Sequence, residues 1–310
     1  MKTRVEGHGV LLIDKPGGMT TFDLIRRMQR RYRFKRLGHT GTLDPLATGL
    51  VLLCANEATK LARYLTDGWK TYECEFVLGE RRDTLDADGR VVEEAPVPAL
   101  TPSQVSAAIA GFLGEIDQVP PAYSAVKVDG KALHEYARRG EQATAQSRKA
   151  TVKDAALLDG EGARWRFRTT VSAGTYIRVI VDEIGVALGT FAYVTQLRRV
   201  VNAGYSVDEA HSLEDLLELG PDLESRLIPP EQALAALPTL CPEPEALRFF
   251  RNGGFIDCPG EIGDDEAVAV LEADGRLTGI GRPHLPASAA DGVQDVPVCR
   301  VLKPERLLLI

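Results

Sequence analysis

The chain's most unusual stretch runs from Gly38 to Gly49 and reads GHTGTLDPLATG. Its three glycines and three threonines predict a loop rather than a helix or a strand. The loop holds a single carboxylate, Asp44, between a basic segment and the apolar run Leu50 to Cys54, which predicts a strand. On its own, an Asp before a Pro in such a loop is most often a turn residue. The surrounding sequence therefore has to decide what this loop does.

The residues on the N-terminal side of the loop predict a strand, a turn and a helix. The run from Gly9 to Asp14 is apolar and ends at a Lys-Pro-Gly-Gly turn, which is typical of a short strand. Thr20 and Asp23 are spaced as a capping box, so we expect a helix from this point to about residue 32. At helical spacing, its predicted apolar face comprises Phe22, Ile25, Met28 and Tyr32.

The same helix and the residues after it carry a dense positive charge. Seven of the eleven residues from 26 to 36 are Lys or Arg, and none of the eleven is acidic. A charge run is usually the solvated face of a helix, but this density is equally typical of a surface that binds anions. Both interpretations stay open on the charges alone. The basic residues are Arg26, Arg27, Arg30, Arg31, Arg33, Lys35 and Arg36.

Residue patterns beyond the loop predict further strands and one long helix. Apolar and polar residues alternate from Lys70 to Leu78 and again from Arg164 to Val171, as in half-buried strands. The segment from Tyr176 to Leu188 has apolar residues at helical spacing, and Val194 to Val201 returns to strand character. Between residues 120 and 150, a polar, basic segment predicts a strand, a short helix and a tail that leave the core.

A Pro-rich stretch divides the chain. Five prolines lie between Pro229 and Pro244, and we predict a larger domain over residues 1–235 and a smaller one over residues 236–310. The smaller domain begins with a helix and continues with short strands, two of which Asp274-Gly275 predicts to be a hairpin. A small β-barrel fits this composition.

The overall composition is that of a soluble globular protein. Of the 310 residues, 44% are hydrophobic and 26% are charged, and the formal net charge is −7. Residues 201–310 carry −12 of this charge, which leaves +5 for residues 1–200 and makes the first part the better partner for a polyanion. No apolar run approaches the roughly 18 residues of a membrane span, and the first residues do not resemble a signal peptide. We therefore expect a cytoplasmic protein without a membrane partner.

The sequence contains no recognisable cofactor or metal motif. There is no GxGxxG after a strand, no GxxxxGK followed by Ser or Thr, and no HExxH. The cysteines are odd in number, widely scattered and without a CxxC pair, so we predict buried free thiols rather than a zinc site or disulfides. We expect neither a cofactor nor a metal. The five cysteines are Cys54, Cys74, Cys241, Cys258 and Cys299.

Six blocks of the sequence, taken together, resemble the TruB family, the tRNA pseudouridine synthases that act on the TΨC arm. GHTGTLDPLATG is similar to the family's catalytic motif, and the other blocks stand in the family's order over nearly the whole chain. Those blocks are GVLLIDKPGGMTTFDLI (9–25), KTYECEFVLGERRDTLDADGRV (70–91), PPAYSAVKVDGKALHEYARRGE (120–141), SAGTYIRVIVDEIG (172–185) and YVTQLRR (193–199).

The resemblance implies an architecture as well as a family. We expect an α+β pseudouridine synthase fold, with a mixed, largely antiparallel central sheet flanked by helices and a small C-terminal PUA-like β-barrel. Residues 1–235 would then be the catalytic domain, with an RNA-gripping insertion at about 120–150. Residues 236–310 would be the RNA-binding PUA-like domain.

The resemblance also implies an activity, the isomerisation of a uridine at position 55 of tRNA to pseudouridine. The N1–C1′ bond breaks, the uracil turns, and the base rejoins the sugar through C5. One ionised carboxylate suffices for this reaction, and no cofactor is needed. Attack on C1′, attack on the ring and an elimination–addition route through a glycal all start from that anion and stay open. The catalytic residues implied are Asp44 as the carboxylate, Arg178 as its counter-ion and Tyr72 as the residue that stacks on the base.

The remaining implied site residues bind the RNA. A uridine in a folded arm reaches a buried carboxylate only when it is flipped out of the stack. By resemblance, His39 fills the space that the uridine leaves, and Leu197 lines the uracil pocket. The predicted phosphate contacts are Lys15, Arg30, Arg31, Lys127 and Lys131, with Arg138 and Arg139 as further candidates. Tyr123 and the loop Asp83–Asp88 are predicted to support the site. This sequence departs from the family pattern at residue 173, where it has Ala and many relatives have Lys.

Two other functions are compatible with these residues. A guide-RNA-directed pseudouridine synthase relative shares the Asp44 motif, but it usually carries basic extensions and lacks so long an insertion. A tRNA-binding folding factor, with catalysis secondary, needs no catalytic residues, whereas Asp44, Tyr72 and Arg178 are all present. Thr42 stands where other pseudouridine synthase families have an Arg. We therefore expect a stand-alone monomeric enzyme whose partner is the TΨC stem-loop of tRNA, with no obligatory protein partner.

Overall fold

The computed structural model describes residues 2–284 and 300–308. Its strands are β1 (Thr3–Arg4), β2 (Gly9–Lys15), β3 (Tyr32–Arg33), β4 (Leu37–His39), β5 (Thr48–Ala55), β6 (Lys70–Leu78), β7 (Glu80–Arg82), β8 (Val91–Glu94), β9 (Gly114–Gln118), β10 (Lys127–Val128), β11 (Lys131–Ala132), β12 (Arg148–Glu161), β13 (Arg164–Val171), β14 (Ala192–Asn202), β15 (Tyr205–Ser206), β16 (His211–Ser212), β17 (Thr239–Leu240), β18 (Ile256–Asp257), β19 (Val268–Leu271), β20 (Leu277–His284) and β21 (Val301–Leu307). The α-helices are α1 (Thr21–Arg31), α2 (Ala62–Thr66), α3 (Pro102–Ala110), α4 (Leu133–Arg138), α5 (Ile177–Ala187), α6 (Leu213–Glu218), α7 (Pro230–Ala233) and α8 (Pro244–Arg251). Short 3-10 helices span Asn56–Leu61, Val207–Glu209 and Gly220–Arg226.

Ten of the strands form one mixed sheet. Its main path runs in the order β16-β2-β5-β14-β6-β13-β12-β9, with β4 paired to β5 and β15 paired to β14. Neighbouring strands on this path are antiparallel, except that β16 is parallel to β2 and β5 is parallel to β14. The predicted mixed, largely antiparallel central sheet is therefore confirmed.

Strands β2 and β5 are mostly apolar because both of their faces are buried. Side chains alternate along a strand, so Leu11 and Ile13 enter one core while Val10 and Leu12 enter another. The first core packs helices α1, α3 and α5 against the sheet. The second core lies between the sheet and the C-terminal strands β19 and β20. The loop that contains Asp44 continues directly into β5, and the two faces of β5 pack in two different cores.

The C-terminal residues form a second sheet of five strands, in the order β17-β19-β20-β21-β18. Phe250 of α8 packs in a third core with Val268 and Val270 of β19. The predicted hairpin is present, since Asp274 and Gly275 lie in the turn between β19 and β20, and Gly275 has a φ of +87°. This curled sheet fits the small PUA-like barrel that the resemblance implies.

Polar contacts join the C-terminal sheet to the larger part of the chain. Glu305 on β21 accepts a hydrogen bond from the hydroxyl of Tyr64 at 3.0 Å and forms an ion pair with Arg63. Arg282 on β20 lies 3.4 Å from the same carboxylate. The Lys60 ammonium donates to the carbonyl of Leu307 at 2.9 Å. The C-terminal sheet is thus connected by polar contacts to α2 and to the 3-10 helix Asn56–Leu61, in addition to the shared apolar core.

Of the predicted apolar face of α1, Ile25, Met28 and Tyr32 are buried, but Phe22 is not. The capping box of Thr20 and Asp23 is present, but the buried side chains are Thr21, Leu24, Ile25 and Met28, whereas Phe22 is 57% exposed. The reason is that residues 21, 24, 25 and 28 share one stripe at 3.6 residues per turn, and residue 22 lies outside it. The predicted position of Phe22 in the core is therefore wrong.

The described cysteines are free, and three of the four are buried. Cys54, Cys74 and Cys258 lie inside, as predicted, whereas Cys241 is exposed, which corrects the prediction at that position. Cys241 follows β17 in the Pro-rich junction, where little chain packs over it. Cys299 lies outside the described residues. Among the described residues, no helix is long and apolar enough to cross a bilayer.

Gly49 allows β5 to approach β14 closely enough to place the Asp44 loop. It has a φ of +101°, and a Cβ at this position would lie 2.3 Å from the carbonyl oxygen of Arg199. We expect Gly49→Ala to lower the unfolding free energy by about 3 kcal/mol, because steric overlap adds to the cost of the left-handed conformation. Urea unfolding measures this change.

Gly18 is the matched control for this substitution. Its φ is +76°, and nothing lies within 4 Å of a Cβ added there. Gly18→Ala should therefore show the cost of the backbone conformation alone, about 1 kcal/mol. Equal losses in the two variants would contradict the role assigned to the close approach at Gly49.

Candidate active site

The Asp44 loop is held in place at both of its ends. The backbone N–H of Thr40 donates to the carbonyl of Leu52 at 3.2 Å, and that of Ala47 donates to the carbonyl of Asp44 at 3.1 Å. The start of α1 also contacts the loop, because the N–H of Leu43 donates to Oγ1 of Thr21 at 2.9 Å. The loop is therefore tied to the sheet, to itself and to the basic helix.

The buried guanidinium of Arg199 binds backbone carbonyls of the loop and of the strand that follows it. Arg199 is only 1% exposed, and its Nε donates to the carbonyl of Leu50 at 2.7 Å. Its Nη2 and Nη1 lie 3.3 Å and 3.5 Å from the carbonyls of Gly41 and Thr42. Sequence reasoning missed this residue. Arg199 stands two positions after Leu197 on β14, and that spacing places both side chains on the same face of the sheet.

Arg178 forms the ion pair with Asp44 that the resemblance implies. The Nε of Arg178 lies 2.9 Å from Oδ2 of Asp44. The side chain of Arg178 is 4% exposed and that of Asp44 is 35% exposed, so the carboxylate faces the solvent and the guanidinium supports it from inside. The helix position of Arg178, in the first turn of α5, is the predicted one.

Three backbone and side-chain acceptors hold Arg178 in this orientation. Its Nη1 donates to the carbonyl of Thr84 at 2.5 Å, and its Nη2 donates to the carbonyl of Tyr123 at 3.1 Å. Asp86 is a second carboxylate beside the same group, with Oδ2 at 3.5 Å from Nη1. Burial raises the pKa of Asp86, while the hydrogen bond from Thr84 and the charge of Arg178 oppose that rise. The structure thus places Tyr123 and the loop Asp83–Asp88 in supporting positions.

Asp44 and Arg178 line a cavity of about 280 Å³. Two of its walls are apolar, since Tyr72 and Leu197 line it and each is only 7% exposed. The cationic side chains of Lys70 and Arg199 also reach it, so positive charge exceeds negative charge in its lining. The structure therefore brings together four of the predicted site residues, Asp44, Tyr72, Arg178 and Leu197.

The other predicted site residues lie outside this cavity. His39 is at the end of β4, where its Nδ1 accepts a hydrogen bond from the N–H of Gly41 at 3.2 Å, and burial lowers its pKa. Lys127 and Lys131 are exposed on the short hairpin β10–β11. Arg30 is exposed on α1. These four side chains are at the surface or near it, where an RNA could reach them.

Two of the predicted phosphate contacts have internal partners instead. Lys15 is fully buried, and its Nζ donates to the carbonyls of Pro16 and Met19, each at 2.8 Å. Arg31 is half-buried, because its Nε donates to the carbonyl of Leu217 at 2.8 Å and its Nη1 to Oγ1 of Thr3 at 3.2 Å. Both side chains bind oxygens of their own chain, which argues against the predicted contacts of Lys15 and Arg31 with RNA phosphates.

Burial also lowers the pKa of two lysines, Lys15 and Lys70. It lowers the pKa of Lys15 to about 8, which nearby Asp44 opposes and Arg199 reinforces. Lys70 donates to the carbonyls of Thr66 and Gly68 at 2.7 and 2.9 Å, and burial together with Arg199 lowers its pKa to about 8 as well. Sequence reasoning did not assign Lys70 to the site.

Comparison with solved structures shows the fold of the chain. The chain superposes on the Cbf5-Nop10-Gar1 complex with a TM-score of 0.74, at 23% identity over 96% of this chain and 84% of the other. It superposes on the H/ACA RNP bound to a substrate RNA containing 2′-deoxyuridine with a TM-score of 0.73, at 21% identity over 97% of this chain and 85% of the other. The chain therefore has the pseudouridine synthase fold.

Sequence comparison defines the family. The model of the TruB family pseudouridylate synthase N-terminal domain matches residues 29–177. The chain is 43% identical to tRNA pseudouridine synthase B of Chromohalobacter salexigens, over 97% of this chain and 94% of that protein. It is 45% identical to tRNA pseudouridine synthase B of Citrobacter koseri, over 74% of this chain and 73% of that protein. This chain belongs to the TruB family of pseudouridylate synthases.

The lowered pKa of Lys15 makes stability depend on pH in a defined direction. Between pH 8 and pH 10 this lysine is mostly neutral in the folded chain and mostly protonated in the unfolded chain. The unfolded state then binds more protons, so the contribution of Lys15 to stability rises with pH. We expect wild type to gain unfolding free energy relative to Lys15→Met over this range, by less than about 1.4 kcal/mol per pH unit.

Urea unfolding at several pH values measures this difference. Subtracting the two curves removes the ionisation of cysteines and tyrosines, which the two proteins share. Lys70→Met tests the second buried lysine in the same way. Parallel curves for wild type and Lys15→Met would show that Lys15 has an ordinary pKa in the folded protein.

Proposed function

We propose that this chain isomerises the uridine at position 55, in the TΨC arm of tRNA, to pseudouridine, with Asp44 as the catalytic carboxylate. The observation that carries the proposal is the pairing of Asp44 with the buried Arg178 at 2.9 Å, in a cavity walled by Tyr72 and Leu197. The relatives named tRNA pseudouridine synthase B support tRNA as the substrate.

The residue types suit this reaction. Breaking the N1–C1′ bond and forming the C5–C1′ bond only rearranges the nucleotide, so the atoms balance without a co-reactant. The carboxylate acts in its ionised form, which an adjacent guanidinium favours. Tyr72 offers an aromatic face to the uracil and Leu197 an apolar one, and both exclude water from the reacting base. The three routes from the Asp44 anion all fit this arrangement.

The target uridine reaches this cavity by leaving the base stack of its RNA. Flipping a base out costs a few kcal/mol, and new contacts to the protein and to the vacated stack offset the cost. We propose that His39 fills the space that the uridine leaves in the base stack. His39 lies at the start of the catalytic loop and is half-buried. Its hydrogen bond with Gly41 fixes the orientation of its ring.

We assign the grip on the RNA to the insertion at about residues 120–150 and to the C-terminal domain. The hairpin β10–β11 of the insertion exposes Lys127 and Lys131 next to Ser124, which lines the cavity. The C-terminal sheet has a core of its own, which supports a division of the chain into a catalytic domain over residues 1–235 and a PUA-like domain over residues 236–310.

We further propose that the enzyme acts alone, as a monomer in the cytoplasm. One chain supplies the carboxylate, its arginine partner and the base-stacking tyrosine, so the proposed chemistry needs no second subunit. tRNA as the substrate is consistent with a cytoplasmic location. The activity assay below uses the purified chain from a monomer fraction, and activity that appears only after adding a second protein would contradict this part of the proposal.

Tritium release tests the activity itself. A tRNA transcript labelled with tritium at C5 of uridine should lose the label from the target position, because C5 exchanges its hydrogen for the bond to C1′. Wild type should release tritium, whereas Asp44→Asn should release none and still bind the RNA within a few-fold. A transcript with cytidine at the target position should release none with either protein.

Each other outcome changes a different part of the proposal. Release by Asp44→Asn would exclude Asp44 as the catalytic carboxylate. Tight binding without any release by wild type would favour the folding-factor function. Release that survives the change of the target to cytidine would retain the synthase and reject the TΨC-arm specificity.

The salt dependence of binding tests the basic helix. Contacts with phosphates release counterions, so the logarithm of affinity falls linearly with the logarithm of salt concentration. Arg30 and Arg33 are exposed, and we expect Arg30→Gln or Arg33→Gln to reduce that slope by roughly one. Filter binding of the TΨC stem-loop between 50 and 200 mM salt gives the slope.

Arg31 is the internal control on the same helix. Its guanidinium is bound to Leu217 and Thr3, so Arg31→Gln should lower stability and leave the slope unchanged. An equal change of slope for all three variants would mean that Arg31 also reaches the RNA. A flat salt profile for wild type would reject α1 as an RNA surface.

A further inference from the structure

Phe22 is the largest exposed apolar side chain on the basic helix α1. It is 57% exposed, although the capping box fixes the first turn of the helix and the adjacent Thr21 is fully buried. An exposed phenylalanine ring contributes little to folding. The exposed ring is therefore available to a partner outside the chain.

Phe22 directly follows a residue that contacts the catalytic loop. Thr21, the preceding residue, bonds through its Oγ1 to the N–H of Leu43 at 2.9 Å, and Leu43 precedes Asp44. One turn earlier, the N–H of Gly18 donates to the carbonyl of Pro45 at 2.9 Å. The residues at the start of α1 and just before it therefore bind Leu43 and Pro45, which flank Asp44 in the sequence. Phe22 is the next residue after Thr21.

The charge around Phe22 indicates what kind of partner it has. The guanidinium carbon of Arg26 lies 4.5 Å from the centre of the ring, which is a cation–π contact. Arg26 covers one face of the ring at most, so the exposed area includes the other face. Arg27 and Arg30 of the same helix are also exposed, as is Arg33 just after it. An aromatic face within a basic surface is the arrangement by which proteins hold unpaired nucleobases.

We propose that Phe22 stacks on an unpaired nucleobase of the RNA that neighbours the target uridine, with Arg26 holding the ring in place. The proposal rests on the proposed function and extends it, since it adds a residue that recognises the RNA outside the reacting nucleotide. When the uridine enters the cavity, the bases next to it in the RNA lose a stacking partner. Phe22 supplies a replacement stacking surface.

Substitutions at Phe22 test stacking without endangering the fold, because the side chain is exposed. The variants are Phe22→Ala, Phe22→Leu and Phe22→Trp, each in the inactive Asp44→Asn background so that binding is measured without turnover. The probe is the TΨC stem-loop RNA with uridine at the target position. Val186, 54% exposed on α5 and about 12 Å along that helix from Arg178, is the matched control.

We expect binding to separate the aromatic variants from the others. Phe22→Ala and Phe22→Leu should weaken binding about five- to fifty-fold, since leucine keeps apolar area but has no π-face. Phe22→Trp should bind within two-fold of the parent, and its added fluorescence should be quenched by the RNA. Val186→Ala should bind normally, and the fluorescence of Val186→Trp should not respond to RNA.

Turnover distinguishes this role from a catalytic one. With Asp44 restored, Phe22→Ala should raise KM by a similar factor and change kcat by less than two-fold, because the ring does not touch the reacting nucleotide. Normal binding by Phe22→Leu, or equal losses for Phe22→Ala and Val186→Ala, would overturn stacking. Absence of tritium release by wild type would instead overturn the proposed function, so the two failures are distinguishable.

Discussion

Folding removes the guanidinium groups of Arg178 and Arg199 from water, and the geometry of the site depends on how these charges are satisfied. An uncompensated buried charge costs several kcal/mol, so each group needs partners at fixed positions. Arg178 binds the carboxylate of Asp44 and two backbone carbonyls, whereas the bonds of Arg199 go to the carbonyls of Gly41, Thr42 and Leu50. Those three carbonyls belong to the loop of Asp44 and to the strand that follows it. Any shift of the loop therefore leaves a buried cation without its acceptors.

Much of the fold could be predicted from the sequence because apolar and polar residues alternate along its strands and capping residues begin its helices. The alternation from residue 70 to 78 and the capping box at Thr20 appear in the structure as predicted. The placement of Lys15 and Arg199 was not predictable in this way, since lysine and arginine are rarely buried and their partners here are backbone carbonyls, which leave no signal in the sequence. Phe22 was misplaced for the opposite reason. Its apolar side chain suggested burial, and only the true helical stripe shows that the ring is exposed.

The two-sided burial of β2 and β5 connects the site to the C-terminal sheet. Val10 and Leu12 share a core with residues of β19 and β20, while Leu11 and Ile13 share one with the helices beside the cavity. The ion pair of Glu305 with Arg63 and its hydrogen bond from Tyr64 strengthen the same junction. The C-terminal part is acidic in sum, yet its apolar residues share a core with Leu50 and Leu52 of β5, the strand that follows the Asp44 loop. Loss of the C-terminal sheet would remove part of the core that covers one face of β5.

The anchoring of the catalytic loop has a consequence for how substrate enters. A loop that is bound to Arg199, to Thr21 and to a doubly buried strand has little freedom to open as a lid. Under the proposed function, the conformational change on binding then falls on the RNA, whose base rotates out of its helix into a cavity that already has its final shape. A preformed site of this kind favours RNA arms that distort easily over arms of the same sequence held rigid. The mechanical compliance of the RNA, as well as its chemistry, thereby becomes part of what the protein recognises.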